Sequence, residues 1–160
     1  MTHVLVLVLA LLIGVIAGLR AMTAPAVVAW GAFLGWIDVD GKWSEWMAHP
    51  ITVTVLTIFL LVELVTDQLP KTPSRKTAPQ FATRLIMGAF AGAVIGSAFF
   101  HTFSATGAGI IGAVLGTMGG AAVRQKLYDT NNGKDRPGAF LEDVVAVGGG
   151  FLTAFLVSLV

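Results

Sequence analysis

Residues Leu85–Val123 read LIMGAFAGAVIGSAFFHTFSATGAGIIGAVLGTMGGAAV, a run of 39 residues without lysine, arginine, aspartate or glutamate. One helix that crosses the roughly 30 Å of bilayer hydrocarbon needs about 20 apolar residues. The run is therefore too long for a single crossing, and the polar stretch His101–Gly107 is a natural place to divide it. This pattern predicts two consecutive membrane-spanning helices.

Apolar stretches also cover most of the remaining chain, at Val4–Leu19, Ala21–Ile37, Ile51–Leu69 and Val144–Val160. Hydrophobic residues make up 56% of the 160 residues and charged residues 12%, whereas a soluble domain carries roughly 25% charged residues. This composition excludes a soluble globular enzyme and a disordered chain. We predict an all-α fold, with one polytopic transmembrane helical bundle over residues 1–160.

The first 37 residues are too long for one crossing, because a single helix of that length would extend about 50 Å. Arg20 interrupts them, and Thr23 and Pro25 follow, as an N-cap and a first-turn proline commonly do. We expect a helix break near Arg20–Ala24. Either the chain turns back there, which gives six membrane segments, or a broken helix continues through, which gives five. We expect this segment to be retained, since no basic residue precedes it as in a signal peptide.

Basic residues are concentrated in two loops. Residues 70–84 and 124–138 together contain eight of the ten lysines and arginines, whereas residues 38–49 contain three acidic residues and one lysine. Because basic loops resist translocation, we predict that loops 70–84 and 124–138 are cytoplasmic. Loop 38–49 and the C-terminus are then periplasmic or extracellular, and the four tryptophans around loop 38–49 fit an interfacial belt. The expected location of this multi-pass protein is therefore a membrane.

Glycine recurs every four residues in three rows. The rows are Gly14 and Gly18, then Gly88, Gly92 and Gly96, and then Gly112, Gly116 and Gly120. Residues four apart lie on nearly the same face of a helix, and small residues allow helices to approach closely in lipid. The rows therefore predict glycine-zipper packing, either inside one subunit or against an identical subunit in a homo-oligomer.

Two acidic residues, Glu63 and Asp67, lie one helical turn apart near the end of a predicted span. An unpaired carboxylate within the hydrocarbon is costly, so such a group is protonated, paired or hydrated. The two residues are therefore candidates for binding a cation or a proton. Alternatively, they form structural ion pairs between helices. The expected partners, acting as counter-charge or gate, are Arg20, Arg84 and Arg124.

A second acidic pair, Glu142 and Asp143, begins the last apolar stretch. Acids in the first turn of a helix are favoured by the helix dipole. Alternatively, this pair converges with Glu63 and Asp67 on a cluster that holds a cation through oxygen ligands. Arg20 also has two interpretations: an interrupted segment of the kind that forms transporter sites, or an ordinary basic residue in a cytoplasmic hairpin turn.

Signals of enzyme chemistry are weak. The chain contains no cysteine, and its three histidines are isolated, so we expect no metal site. Gly107, Gly109 and Gly112 match the pattern G-x-G-x-x-G, but a dinucleotide site requires a preceding strand and a βαβ unit. The net charge of +1 gives no reason to expect a nucleic-acid partner. We therefore expect neither an enzyme nor a cofactor.

Short motifs follow one another along the chain. They are Gly18-Leu19-Arg20 with Thr23 and Pro25, Glu63-x-x-x-Asp67-x-x-Pro70, Arg84 with Gly88-Ala89, a small-residue helix ending at Arg124, and Leu141-Glu142-Asp143. In this order they resemble a family of small bacterial inner-membrane proteins, number four-one-two-six in the domain-of-unknown-function series. The resemblance covers most of the chain and implies an integral membrane fold. It also singles out the charged residues considered above.

These patterns lead to two functional hypotheses. The first is a small transporter or channel for an ion or small solute, acting as a homo-oligomer and using the intramembrane acidic residues. The second is a structural, interaction or lipid-binding membrane protein whose charges form interhelical ion pairs. The bilayer is the expected partner in both, and a cation or small solute is the expected ligand in the first.

Overall fold

A computed structural model describes residues 1–68, 77–134 and 136–160, and every regular element within those ranges is a helix. The helices are α1 (Thr2–Leu19), α2 (Thr23–Phe33), α3 (Pro50–Thr66), α4 (Ala78–Ala98), α5 (Thr102–Thr130) and α6 (Arg136–Val157), with a 3₁₀ turn at Glu45–Ala48. Four of them, α1, α4, α5 and α6, are long and apolar enough to cross a membrane. Helices α2 and α3 are apolar but shorter, with 11 and 17 residues.

Prolines mark where several helices begin. Pro50 opens α3, where the missing N–H of proline costs least. His49 caps the same helix, because its Nδ1 accepts a hydrogen bond from the Ile51 amide at 3.2 Å. Pro79 lies in the first turn of α4 and Pro137 in the first turn of α6. These positions set the boundaries of the helices by local chemistry.

The chain reverses direction at Arg20, where the backbone is extended (φ −141°, ψ 111°) between α1 and α2. Both helices pack on α6: a Cβ on Gly150 would touch Ile16 from α1 and Val27 from α2. Further along α2, Gly31 lies against Ala154. Helix α2 therefore runs in the direction of α6, and α1 runs opposite to it. Of the two expected forms of the first segment, the structure has the hairpin.

The segment between α2 and α3 is partly buried rather than an exposed loop. Ile37, Val39 and Met47 are 1%, 2% and 0% exposed. The Ser44 hydroxyl lies 2.6 Å from the Ser97 hydroxyl of α4, and both side chains are buried. The expected outer loop 38–49 thus folds back on the bundle, because its apolar residues need cover. Two tryptophans of this segment, Trp43 and Trp46, are each half-exposed.

Helices α4 and α5 divide the long uncharged run a few residues before the expected position. Helix α4 ends at Ala98 and α5 begins at Thr102, so the connection is Phe99–His101 rather than His101–Gly107. Phe100 has a positive φ of 60° in this tight turn. Helix α5 then continues to Thr130, well past the uncharged run. Arginine, lysine, glutamine and leucine are good helix formers, so the helix persists into the polar sequence.

Part of each predicted basic loop is therefore helical. Residues 78–84 belong to α4, residues 124–130 to α5 and residues 136–138 to α6. Lys71, Arg75 and Lys76, on which the prediction for loop 70–84 also depended, lie outside the described residues. Of the remaining basic residues, Arg84 and Arg124 lie nearly two turns inside α4 and α5, and the others lie nearer the helix ends or in the short connection 131–134.

Glycines lie where α1, α4 and α5 meet, and α5 packs most extensively against the other two. A Cβ on Gly14 would collide with the carbonyl oxygen of Gly109, and a Cβ on Gly109 would collide with that of Gly88. At Gly92 an added Cβ would lie 2.5 Å from the Ala105 carbonyl oxygen. An added Cβ would also lie within 3.0 Å of an atom of a neighbouring helix at four other members of the three rows, namely Gly18, Gly96, Gly112 and Gly116. The backbones of the three helices are therefore in direct contact.

The bundle has two chemically different ends. At one end, which we call the charged end, Arg20 contacts α6, Glu63 contacts the start of α2 and Arg84 contacts the end of α1. At the opposite end, which we call the aromatic end, the rings of His3 and His101 lie 4.2 Å apart. Successive helices thus alternate in direction between the charged end and the aromatic end.

Candidate buried ion-pair site

Arg20 is the centre of a buried ion-pair site at the charged end, and its side chain has no exposed surface. Its Nε donates a hydrogen bond to Asp143 Oδ1 at 2.6 Å, and its Nη1 forms an ion pair with Asp67 Oδ2. Asp67 follows the end of α3, and Asp143 lies on α6. The extended backbone of Arg20 lets the side chain reach both. We call Arg20, Asp67 and Asp143 the Arg20 triad.

Glu63, one turn before Asp67, caps the beginning of α2. Its Oε1 accepts a hydrogen bond from the Ala21 amide at 2.7 Å, and its Oε2 accepts one from the Met22 amide at 2.8 Å. The first amides of a helix have no partner within the helix and carry a partial positive charge. A carboxylate from α3 therefore satisfies two amides at the turn between α1 and α2.

This arrangement replaces the expected Thr23 cap, which the structure shows to be wrong. The N-cap residue of α2 is Met22, and no side-chain cap comes from it. Thr23 is instead the first residue of the helix and is buried, and its hydroxyl has no hydrogen-bond partner within the described part of the chain. Pro25 lies in the first turn, as expected.

Arg84 of α4 caps the other side of the break. Its Nη1 donates to the carbonyl oxygens of Gly18 and Leu19 at 2.6 and 2.7 Å. These are among the last carbonyls of α1, which lack partners within the helix and carry a partial negative charge. The Thr117 hydroxyl donates to the Ala113 carbonyl of its own helix at 2.8 Å and lies 3.3 Å from the Gly18 carbonyl oxygen. Both ends of the interruption are thus held by side chains from distant helices.

Glu142 lies apart from this site, although it neighbours Asp143 in sequence. Its Oε2 accepts a hydrogen bond from Arg124 Nη1 of α5 at 3.3 Å. Because α6 begins at Arg136, both acids lie in its second turn rather than its first. Adjacent residues on a helix point about 100° apart, so Asp143 faces Arg20 while Glu142 faces α5.

The described residues therefore bring three of the four candidate acids to the break: Glu63, Asp67 and Asp143. They do not form the expected oxygen cluster for a cation, since within the described ranges no group of three or more His, Cys, Asp or Glu residues is placed to hold a metal ion. An arginine separates the two aspartates instead. Of the three candidate arginines, Arg20 and Arg84 lie at the site, and Arg124 lies with Glu142.

Among the residues that the structure describes, the charged side chains at the break do not balance. Arg20 and Arg84 contribute two positive charges, and Glu63, Asp67 and Asp143 contribute three negative charges, so the net formal charge of these five is −1. Within the Arg20 triad alone the net charge is also −1. Buried charges are stable when paired, and an excess charge in a poorly hydrated place is costly. The triad is thus suited to accept one positive charge.

Several contacts of the site could not be inferred from residue type. Gln68 Nε2 donates to Asp143 Oδ2 at 3.2 Å, and the amides of Ala21 and Met22 hold Glu63. The position of Gln68 directly after Asp67, at the end of a predicted span, was a usable signal. No feature of the sequence indicated that main-chain amides would bind Glu63, because every residue except proline carries an amide N–H.

The architecture is that of a helical membrane protein, with four apolar helices of spanning length and with Arg20 and Arg124 paired to carboxylates of other helices. The chain belongs to the family described as Domain of unknown function (DUF4126), whose model matches residues 7–160. Comparison with curated proteins and with solved structures found no match.

Proposed function

We propose that this protein moves an ion or a small solute across the bacterial inner membrane, and that the Arg20 triad binds a proton or a monovalent cation during transport. One observation carries the proposal: a fully buried arginine lies between two carboxylates at a helix break, and the group has a net formal charge of −1. Ionisable groups inside membrane helices are expensive and commonly belong to ion or proton pathways.

Asp67 is the member of the triad best placed to exchange its positive partner with water. Its side chain is 16% exposed, against 11% for Asp143 and 0% for Arg20. Arg20 then acts as the counter-charge that keeps the empty site stable. Binding of one cation or proton would neutralise the triad and weaken the attraction between Arg20 and Asp67. That attraction connects the α1–α2 turn to α3, so binding would be coupled to the packing of these helices.

The interrupted helix supports the same proposal. Non-helical backbone at membrane depth is tolerated against protein or a water-filled cavity, and short interrupted segments form the binding sites of many transporters. Helix α2 has 11 residues and is only about 16 Å long. The buried segment with Ile37 and Val39 continues from its end. The start of α2 therefore lies beside the triad, and the buried segment lies at the opposite end of this short helix.

We further propose six membrane segments, with the charged end in the cytoplasm and the aromatic end and the C-terminus outside. The alternating helix directions and the concentration of basic residues support this orientation. The test uses single cysteines, because the native chain has none. A membrane-impermeant maleimide added to intact cells should label Asp40→Cys and spare Lys134→Cys. The opposite labelling pattern would overturn the orientation.

We also propose that the protein is a homo-oligomer. The glycine rows on α1, α4 and α5 are largely occupied inside one subunit, so another surface must form the contact. Helix α3 buries only Val53 and Leu60 among its residues and presents the rest of its apolar face outward. This face is available to a second subunit or to lipid. The mass of the particle in nanodiscs decides between the two.

A second candidate function has its own support. Both oxygens of Glu63 are engaged by main-chain amides of the α1–α2 turn, which is what an interhelical structural lock requires. On this basis the protein would be a structural or interaction protein that transports nothing. It predicts that substitutions at the site lower thermal stability and that no ion changes the melting temperature.

The deciding experiment is ion flux into proteoliposomes, measured with an internal pH dye under imposed proton, sodium and potassium gradients. Wild type is compared with Asp67→Asn and Glu63→Gln. The matched control is Asp129→Asn, which makes the same chemical change at an exposed residue of α5. Transport predicts flux in wild type and in Asp129→Asn, with loss in Asp67→Asn. Equal flux in wild type and both site variants would remove the proposed site.

A further inference from the structure

A surface groove runs along α5 and α6 towards the charged end, away from the Arg20 triad. It has a volume of about 300 Å³, and its walls are apolar residues and glycines. Its rim includes Leu115, Val123, Leu141 and Val145, which are 50–58% exposed. Gly119 lies on its floor, and a Cβ built there meets no atom within 4 Å. The groove is therefore open rather than filled by neighbouring side chains.

The length of the groove matches one leaflet of a bilayer. Its α5 wall extends from Leu115 to Leu127, and the part between Leu115 and Arg124 corresponds to about 14 Å along a helix. The hydrocarbon core is about 30 Å thick, so one leaflet contributes about 15 Å. An acyl chain lying parallel to α5 would be covered over most of its length.

Charge is confined to one end of the groove. Arg124 and Glu142 line it, and they are joined by a hydrogen bond of 3.3 Å between Nη1 and Oε2. The Arg124 side chain is 20% exposed and the Glu142 side chain 8% exposed. The accessible charge at this end is therefore mainly the guanidinium. A guanidinium offers five N–H donors in a planar fork that suits phosphate oxygens.

We propose that this groove binds one acyl chain of a bilayer glycerophospholipid, with the phosphodiester at Arg124. An apolar channel of one-leaflet length complements the acyl chain in shape, and the Arg124–Glu142 pair at its end presents the more exposed guanidinium to the phosphodiester. The position of Arg124 near the polar end of α5 puts the phosphate at headgroup level. The inference does not depend on transport, because none of the groove residues belongs to the Arg20 triad.

The test uses native mass spectrometry after detergent exchange, with defined lipids added back. The probes are phosphatidylglycerol, phosphatidylethanolamine and a diacylglycerol with the same acyl chains but no phosphate. We expect both phospholipids to remain bound to wild type and the diacylglycerol to be lost. Retention of diacylglycerol to the same extent as the phospholipids would overturn the role assigned to the phosphate.

Two variants test the location. Gly119→Leu places a side chain in the groove, whereas Gly107→Leu makes the same change on α5 where an added Cβ also meets no atom within 4 Å and the groove does not reach. We expect Gly119→Leu to lose the bound phospholipid and Gly107→Leu to retain it. Equal retention in both variants would overturn the site.

The charge contact is tested by Arg124→Gln, which should reduce phospholipid retention to the level of diacylglycerol. If wild type carries no phospholipid and Gly119→Leu instead changes the oligomeric mass, the groove is a contact between copies of this chain and the lipid proposal is wrong. A thermal melt of each variant in the same detergent identifies any that fails to fold. Arg124→Lys, which keeps the charge, is the substitute for a misfolded Arg124→Gln, and it should retain more phospholipid than diacylglycerol.

Discussion

Arg20 Nε lies 2.6 Å from Asp143 Oδ1, although 123 residues separate the two in the sequence. The contact joins the α1–α2 turn to the second turn of α6. A helical hairpin at the start of the chain is therefore held by a residue near its other end. This connection makes the stability of the bundle sensitive to charge changes at a single place.

Arg20→Gln should destabilise the protein far more than Asp143→Asn. Removing the arginine leaves two aspartates facing each other without a cation, and breaking a buried pair in this way costs about 3–5 kcal/mol. Asp143→Asn instead removes the excess negative charge of the triad and keeps a hydrogen-bonding side chain. Thermal unfolding in detergent, followed by tryptophan fluorescence, measures the difference. Equal melting temperatures for the two variants would show that the triad is not a charge-coupled unit.

Glu63→Gln should expose the turn between α1 and α2 to hydrogen exchange. The glutamine side chain has one carbonyl oxygen, so it can accept from one of the two amides that Glu63 satisfies. Loss of a cap contact typically costs about 1 kcal/mol. Exchange at the Ala21 and Met22 amides should therefore be faster than in wild type, while the amides of α5 stay unchanged. Unchanged protection at both amides would contradict the capping role.

Gly109→Ala should be destabilising, whereas Gly107→Ala should be neutral or stabilising. The methyl group at Gly109 would collide with the Gly88 carbonyl oxygen, while at Gly107 it meets no atom within 4 Å. Overpacking typically costs about 1–3 kcal/mol, and replacing glycine within a helix gains up to about 1 kcal/mol. The larger changes Gly92→Leu and Gly116→Leu should prevent folding or assembly. Size-exclusion profiles and melting temperatures in detergent report all four, and an unchanged particle for Gly92→Leu would count against the packing.

The buried serine pair at the aromatic end should show measurable coupling. Ser97 Oγ donates to the Val94 carbonyl at 2.7 Å, so Ser44 is the donor in the 2.6 Å contact between the two hydroxyls. A double-mutant cycle of Ser44→Ala and Ser97→Ala should give a coupling free energy of about 1 kcal/mol. Additive effects of the two substitutions would mean that the hydroxyls do not interact. The cycle is measured by chemical unfolding in detergent.

Lys42→Gln should raise the pKa of Asp38 towards its ordinary value. The Lys42 side chain donates a hydrogen bond to this carboxylate, and the Asp40 amide donates another, and these contacts lower the pKa of Asp38. A lowered pKa in the folded state stabilises the fold above the unfolded-state pKa, and this contribution is lost as the pH falls through the folded-state pKa. An NMR titration of the Asp38 carboxyl measures the shift. The same titration curve in wild type and variant would contradict the contact.

The all-helical fold was predictable because its signals are additive over many residues. The length of the uncharged run Leu85–Val123 predicted two helices, and Arg20 with Pro25 indicated a helix break. The turn at Phe99–His101 was harder to locate, since neither Phe99 nor Phe100 is a turn residue by type. Likewise, α5 extends to Thr130 because local helix propensity continues beyond the apolar sequence. Hydropathy therefore predicts which segments can lie in lipid, whereas the local chemistry of the backbone determines where each helix ends.

The residues of the candidate site were easier to predict than the pairs that they form. A charge in an apolar stretch is unusual enough to be recognised in the sequence, which is why Arg20, Glu63 and Asp67 were singled out. Which charge meets which depends on the rotation of each helix about its axis. Asp143 and Glu142 are adjacent on α6, yet Asp143 contacts Arg20 and Glu142 contacts Arg124. Apolar periodicity is too weak on helices that are hydrophobic on most sides to determine that rotation.

The glycine contacts between α1, α4 and α5 also divide the molecule mechanically. Where backbone meets backbone through Gly14, Gly88 and Gly109, no flexible side chain lies between the helices to absorb sliding. These three helices therefore form one rigid unit. If the proposed transport takes place, relative movement is expected between this unit and α2, α3 and α6, and the Arg20 triad connects α3 and α6 to the α1–α2 turn.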